Sequence, residues 1–353
     1  MRIISSAIII NSLTKQYPGA KGKALDDITL AFNSGKIHSI IGRSGAGKTT
    51  LIRCLNLLEE FDSGQMTVAG QQTHNLTSVQ RRTILKKMGC IFQKFNLLSR
   101  KTALENVMVP LEWQGVDKKS AQLKAREFLA RVGLGGYEDR YPSQLSGGQC
   151  QRVAIARALV NESKILLCDE FTSALDPETS LEILALLRQL NQDLAITIIL
   201  ITHDMNVVRE ISDFVYVMDQ GKIVEQNNVE QILLYPQHPV TKALLTGLFI
   251  RELPHHLQHS LTPVPSEGDV IMRLIFSRES SQSPVIADII RQYDIPINII
   301  AGSMDHLRAA VFGTLLISAP YQEATQKLIM SYLTQHGISC EVLGYLPSEV
   351  CHG

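Results

Sequence analysis

Two hydrophobic periods alternate along the chain, and their order predicts its elements. Up to about Leu248, short apolar runs exchange with amphipathic stretches, as in an α/β domain. Residues 37–41 read as a strand, with Leu51, Ile52, Leu55 and Leu58 at helical spacing behind it. From residue 77 the pattern changes: Ala125, Phe128, Leu129 and Val132 recur at helix period among charged and amide side chains. This predicts a helical insertion reaching about residue 160. Strands return at 165–168 and 195–202, with a helix at 177–190 between them. The opening MRIISSAIII lacks a small-residue cleavage site and reads as a first strand rather than a secretion signal.

Residues 251–268 carry three prolines and a His255, His256 and His259 cluster, which reads as a solvated linker rather than a metal site. Beyond it the pattern restarts: strand 270–276, helix 284–293, strand 297–303, strand 309–317, helix 322–336, strand 339–346. That βαββαβ order predicts an α+β ferredoxin-like module. Its first strand, VIMRLIF, is apolar on both faces except at Arg273, so the face away from the helices is expected to meet a second copy. The expected organisation is 1–250, a linker at 251–268, and 269–353.

Charge narrows the function classes. Lys plus Arg and Asp plus Glu each number 34, so no bulk field draws the chain onto nucleic acid or an anionic bilayer. The strongest apolar run, 195–202, is strand-sized and no membrane span. Six cysteines (54, 90, 150, 168, 340, 351) without CxxC or metal spacing suit reduced thiols in a cytoplasm.

The segment GRSGAGKTT matches G-x-x-x-x-G-K-[ST] through Gly42, Gly47, Lys48 and Thr49, between a predicted strand and a predicted helix. Arg43, Ser44, Gly45, Ala46 and Thr50 complete a loop whose backbone N–H groups can fold around phosphate at a helix N-terminus. Lys48 can reach the β- and γ-phosphates, and the Thr49 hydroxyl can hold Mg²⁺. The competing reading is a Gly-rich turn. ILLCDE ends an apolar strand in Asp169, suited to Mg²⁺, and Glu170, suited to orienting or deprotonating a water. Alone, that pair reads as an ordinary cap. A third element, Leu145, Ser146, Gly147, Gly148 and Gln149 before a helical run, is another anion-binding helix start, or a plain N-cap.

LSGGQ beside such a loop resembles the ATPase subunits of ABC transporters, over about residues 1–248. The resemblance implies ATP as substrate and a P-loop fold with a helical subdomain. Gln93 in IFQKFN looks like the glutamine that senses Mg²⁺ and couples to a membrane partner. Ser173, Ala174, Leu175 and Asp176 look like the D-loop, His203 like the switch histidine on the γ-phosphate, and Tyr17 like the aromatic that stacks on adenine. Each has a duller reading: a surface amide, a strand-end cap, a core aromatic. In this family two subunits pair head to tail, so Ser146 of one chain caps the ATP held by Lys48 of the other, and a single chain is a poor ATPase. Cys150 stands where Lys or Arg is frequent, and Phe171 where a small residue or Pro is usual.

LIRCLNLLE, FQKFNLL, LLCDE and VLGYL resemble the ATP-binding subunit of the bacterial methionine importer, which carries a βαββαβ regulatory module of the NIL type after its ATPase. Here the name-giving segment is Asn298, Ile299 and Ile300. The resemblance implies an ATPase driving translocation, a homodimer with two copies of an integral membrane permease, and an extracytoplasmic substrate-binding lipoprotein. It implies residence at the cytoplasmic face of the inner membrane, and methionine as a regulatory ligand. Asn298 offers amide groups to an amino acid's charged ends and Met304 an apolar neighbour for a thioether; alternatively, Asn298 starts a strand and Met304 fills core. Rival readings are an importer of another small metabolite and a non-transport ABC ATPase. The latter usually needs a long coiled coil or tandem cassettes, and neutral charge argues against a nucleic-acid partner.

Overall fold

The computed structural model describes residues 6–245, 257, 260–276, 284–307 and 310–347, apart from the side chains of 304–307, 310 and 311. The chain divides into two compact units, Met1–Leu244 and Leu245–Gly353.

The first unit is built on two sheets. Strands β1 (Ser6–Lys15), β2 (Leu25–Asn33), β4 (Ser63–Val68) and β5 (Gln71–Gln72) form an antiparallel sheet in the order β2-β1-β4-β5. The other sheet runs β10 (Lys222–Asn228), β9 (Phe214–Asp219), β3 (Ile37–Gly42), β8 (Thr197–Ile201), β7 (Ile165–Asp169), β6 (Met88–Ile91). It is parallel from β9 to β6, with β10 antiparallel at the edge. All six residues of β3 are buried, as a central parallel strand covered on both faces requires. Side-chain alternation sorts the strands into two cores. Leu166, Cys168, Ile198 and Leu200 face helices α3 (Ala103–Trp113), α4 (Lys118–Arg131), α5 (Gly147–Leu159) and α6 (Pro177–Leu194). Ile165, Leu167, Ile199 and Ile201 face the antiparallel sheet and helix α1 (Lys48–Leu55).

The expected strands and helices of this unit are present, with two corrections. Residues 77–160 are not wholly helical. After α2 (Ser78–Leu85), Met88–Ile91 is a strand of the parallel sheet, paired to Ile165–Cys168. A four-residue apolar run is too short for periodicity to tell strand from helix. Leu58 also falls outside its predicted helix: α1 ends at Leu55, Leu57 takes φ 55°, and Leu58 is exposed.

The second unit is antiparallel, in the order β12 (Asn298–Leu307), β13 (Ala310–Pro320), β11 (Gly268–Phe276), β14 (Ser339–Pro347), with helices Val285–Tyr293 and Glu323–Gln335. This is the predicted ferredoxin-like arrangement. Val270, Met272, Leu274 and Phe276 pack with Val285, Ile289, Ile329 and Leu333 in one core. On the opposite face the chain itself covers part of the sheet: Ile271 is buried in a cluster with Leu257, Leu261 and Leu346. Thr262 bridges to Tyr345, so the C-terminal part of the expected linker is built into the unit. The three linker histidines lie outside the described residues. Arg273 is paired with Glu341 across the sheet at 2.9 Å.

Candidate active site

The site stands at the C-terminal ends of the parallel strands, where an open sheet leaves its ligand crevice. β3 runs into the Gly-rich loop. Gly42 takes φ +154° and Gly47 φ +102°, and a Cβ at either would lie 2.2 Å from the Met218 carbonyl oxygen or 2.3 Å from that of Ala24. Only glycine permits that backbone approach. The turn after β9 supports the loop, with Gly221 N–H donating to the Ala46 carbonyl at 3.0 Å. Helix α1 has no side-chain cap and no acidic residue in its first turn, so its N–H groups and positive dipole end are left free for an anion. Arg43, Ser44, Gly45 and Thr49 are exposed, Ala46 is buried and Thr50 half-buried.

Lys48 is buried, and its ammonium donates to the carbonyls of Gly42 at 2.7 Å and Arg43 at 3.0 Å. Burial lowers its pKa, and the carboxylates of Glu170 and Asp169 oppose that shift. Burial raises the pKa of Asp169, with Glu170 adding to it and Lys48 and Arg53 opposing it. The residues predicted from the two motifs therefore meet in one electrostatic cluster. Glu170 takes φ +41°, an uncommon conformation for a non-glycine residue, and is held there from both ends. Its N–H donates to the Ile201 carbonyl at 3.0 Å, and its carbonyl accepts from the Ser173 hydroxyl at 2.8 Å. His203 Nδ1 lies 3.2 Å from Glu170 Oε1. Its ring is largely exposed, beside a pocket of about 430 Å³ that Glu170, Ser173 and Arg209 also line. The arrangement can bind a polyphosphate, balance its charge and hold a carboxylate for a water beside it.

The remaining predicted residues are placed by neighbouring elements. Gln93 is exposed in the loop after β6. The Ser146 hydroxyl accepts from Gln149 N–H at 3.2 Å and the Gln149 side chain accepts from Ser146 N–H at 2.9 Å, a capping box that opens α5. The N-cap reading is met, and Ser146 remains exposed at the start of the helix. A side chain at Gly147 would meet Leu175 and Phe95. Asp176 caps α6 through Thr179 N–H at 2.9 Å. Tyr17 is half-buried after β1, with the Lys15 ammonium 5.3 Å from its ring centre. In the second unit, Asn298 is exposed at the start of strand β12 and registers with Ser318, whereas the Met304 side chain lies outside the described residues.

Both departures from the family pattern occupy interior. Phe171 is buried in the helix-side core, and the buried Cys150 thiol donates to the Pro142 carbonyl at 3.6 Å. Three supports escaped sequence reasoning. Arg157 donates to the carbonyls of Phe95 at 2.9 Å and Asn96 at 2.7 Å, tying the Gln93 loop to α5. Buried Asn106 bonds the backbone of Leu98, Lys101 and Thr102. Ser173 holds the Glu170 carbonyl. Arg157 and Asn106 sit in no motif, and Ser173 was legible as a D-loop residue but not as the group that holds Glu170; Gly221, after Asp219 and Gln220, did carry a turn signal.

A sequence profile for ABC transporters matches residues 25–173, and one for the NIL domain matches residues 270–342. The chain is 42% identical over 342 residues to the methionine import ATP-binding protein MetN of Cupriavidus pinatubonensis, covering 96% of this chain and 99% of that protein. It is 44% identical over 338 residues to the MetN of Desulfitobacterium hafniense, covering 95% and 99%. Among solved structures it is similar to the ATP-binding cassette MJ0796, a dimer bound to ADP and Pi, at 34% identity and TM-score 0.57 over 63% of this chain and 98% of that one. A second similarity is to cbiO1 of Clostridium perfringens, part of the transporter complex cbiONQ, at 29% identity and TM-score 0.61 over 64% and 90%. The fold and the site define an ATP-binding subunit of the ABC transporter class. Within that class the chain belongs to the family of methionine import ATP-binding proteins. Among the described residues no helix is long and apolar enough to cross a membrane.

Proposed function

We propose that this chain hydrolyses ATP to drive methionine import, as a homodimer on two copies of a membrane permease at the cytoplasmic face of the inner membrane. An extracytoplasmic binding protein delivers the substrate. The reading is carried by the meeting of Lys48, Asp169, Glu170 and His203 at one sheet end, in a chain similar over nearly its whole length to methionine import ATP-binding proteins.

The phosphates lie on the N-terminus of α1, with Lys48 leaving its two loop carbonyls for the β- and γ-oxygens. A water attacks the γ-phosphorus while Glu170 accepts its proton, the new P–O bond forms, and the bond to the β,γ-bridging oxygen breaks to release ADP. His203, hydrogen-bonded to Glu170, steadies the γ-phosphate. The Thr49 hydroxyl, the Asp169 carboxylate and the Gln93 amide oxygen, all hard oxygen donors, would hold Mg²⁺, which would neutralise phosphate charge. The exposed Ser146 and its glycines cap the nucleotide of the second copy, a role supported by the dimeric form of MJ0796. Tyr17 stacks on adenine. The second unit binds internal methionine at Asn298 and slows uptake.

Calorimetric titration of the purified chain with a panel of amino acids tests this reading. Saturable methionine binding, lost in Asn298→Ala, is the expected result; preference for another amino acid overturns the cargo, and absence of ATP turnover in the wild-type chain overturns the enzyme.

A further inference from the structure

Gln151, on α5, is a polar group that the site above does not use. It is 0% exposed, and neither its Oε1 nor its Nε2 has a hydrogen-bond partner. A buried amide unpaired at both ends is costly, because nothing replaces the water it gave up. Such a group in a native protein calls for an explanation, and a second arrangement of the chain that supplies its partners is one.

Gln151 follows Gly147 by four residues, so the two share a helix face. The surroundings of that face are set: a side chain at Gly147 would come within 3.5 Å of Leu175 and 3.8 Å of Phe95. Leu175 belongs to the 173–176 segment, whose Ser173 grips the Glu170 carbonyl. Phe95 belongs to the loop that carries Gln93, and Arg157 already ties that loop to the same helix. Asn96 beside it takes φ +49°. Helix α5 therefore carries an unspent donor and an unspent acceptor on the face that looks onto two loops. One loop carries Gln93, and the other holds Glu170.

We propose that Gln151 is a positioning residue for hydrolysis: its amide takes backbone partners from the 93–96 and 173–176 loops as they close around nucleotide, and thereby sets the orientation of Glu170. A primary amide suits this task because it donates and accepts at once and can bridge a carbonyl on one loop to an N–H on the other. The inference rests on the ATPase reading and adds the element that joins the Gln93 loop to the general base. Gln151 is fully buried, so its part is to position the loops rather than to contact the substrate.

Gln151→Met in the full-length chain is the test. Methionine keeps the length and removes both polar ends, so the interior loses its unpaired amide while the loops lose their bridge. The thermal midpoint is expected to rise by about 2–4 °C. Binding of a fluorescent ATP analogue stays at the wild-type affinity, and kcat falls about tenfold, equivalent to about 1.4 kcal/mol. An unchanged kcat overturns the proposal, whatever the midpoint does, because the amide is then a packing group alone. A joint fall of midpoint and kcat also overturns it, because the amide must then already be paired inside the resting protein. Failure of the ATPase reading shows separately, as no turnover in the wild-type chain.

Discussion

His38 makes the ATPase unit acid-labile, and the size of the effect follows from its surroundings. The ring is buried on β3, four residues before Gly42, among Phe32, Phe214 and Tyr216. Its Nε2 lies 3.0 Å from the Asn33 carbonyl oxygen, and its Nδ1 lies 3.3 Å from the Tyr216 hydroxyl. Burial is the main cause that drives its pKa from 6.5 down to about 4; Lys36 pushes the same way, while the Asn33 carbonyl and Asp213 resist. A folded-state pKa below the unfolded one means that the unfolded chain takes up the proton first. The stability is complete above pH 6.5 and is lost as pH falls through the interval to about 4. Each tenfold difference in proton affinity is about 1.4 kcal/mol, so the full loss is about 3 kcal/mol, and near pH 5 it is about 2 kcal/mol. Urea unfolding of the full chain, followed by far-ultraviolet circular dichroism at pH 7.5 and 5.0, measures it. The transition of the first unit is recognised because ATP shifts it. His38→Gln retains hydrogen-bonding groups and removes the titration, so its loss between the two pH values should be smaller than the wild-type loss by about 2 kcal/mol. An equal loss in both proteins refutes the reasoning.

Three further outcomes follow, two from the site and one from the second unit. Glu170→Gln should lower ATP turnover by about 10²–10⁴-fold while nucleotide binding persists; a turnover near wild type removes Glu170 as general base. Gly47→Ala should abolish binding of a fluorescent ATP analogue, since the new methyl would lie 2.3 Å from the Ala24 carbonyl oxygen at φ +102°; wild-type affinity would show that the loop relaxes. Asn298→Ala should relieve inhibition of the ATPase by methionine at unchanged basal rate, and undiminished inhibition removes Asn298 from the ligand site.

The sequence by itself determined the elements and the chemistry. Gly42, Gly47 and Lys48 between strand and helix, and Asp169 and Glu170 at a strand end, were legible because phosphate binding demands those residue types at that spacing. The C-terminal βαββαβ order was legible because each of its elements is long enough for its period to show. Met88–Ile91 was not, because four apolar residues fit either period and only pairing with Ile165–Cys168 makes them a strand. Ile271 was not, because burial of the second sheet face depends on Leu257 and Leu261 returning to it from outside the sheet. The supports of the site were least legible of all. Ser173 holding Glu170, Arg157 holding Phe95 and Asn96, and the unpaired amide of Gln151 have no pattern along the chain. Their hydrogen bonds, and the lack of them, depend on which backbone groups the fold brings beside them. Motif spacing is local and survives in one dimension; pairing and satisfaction exist only once distant segments meet.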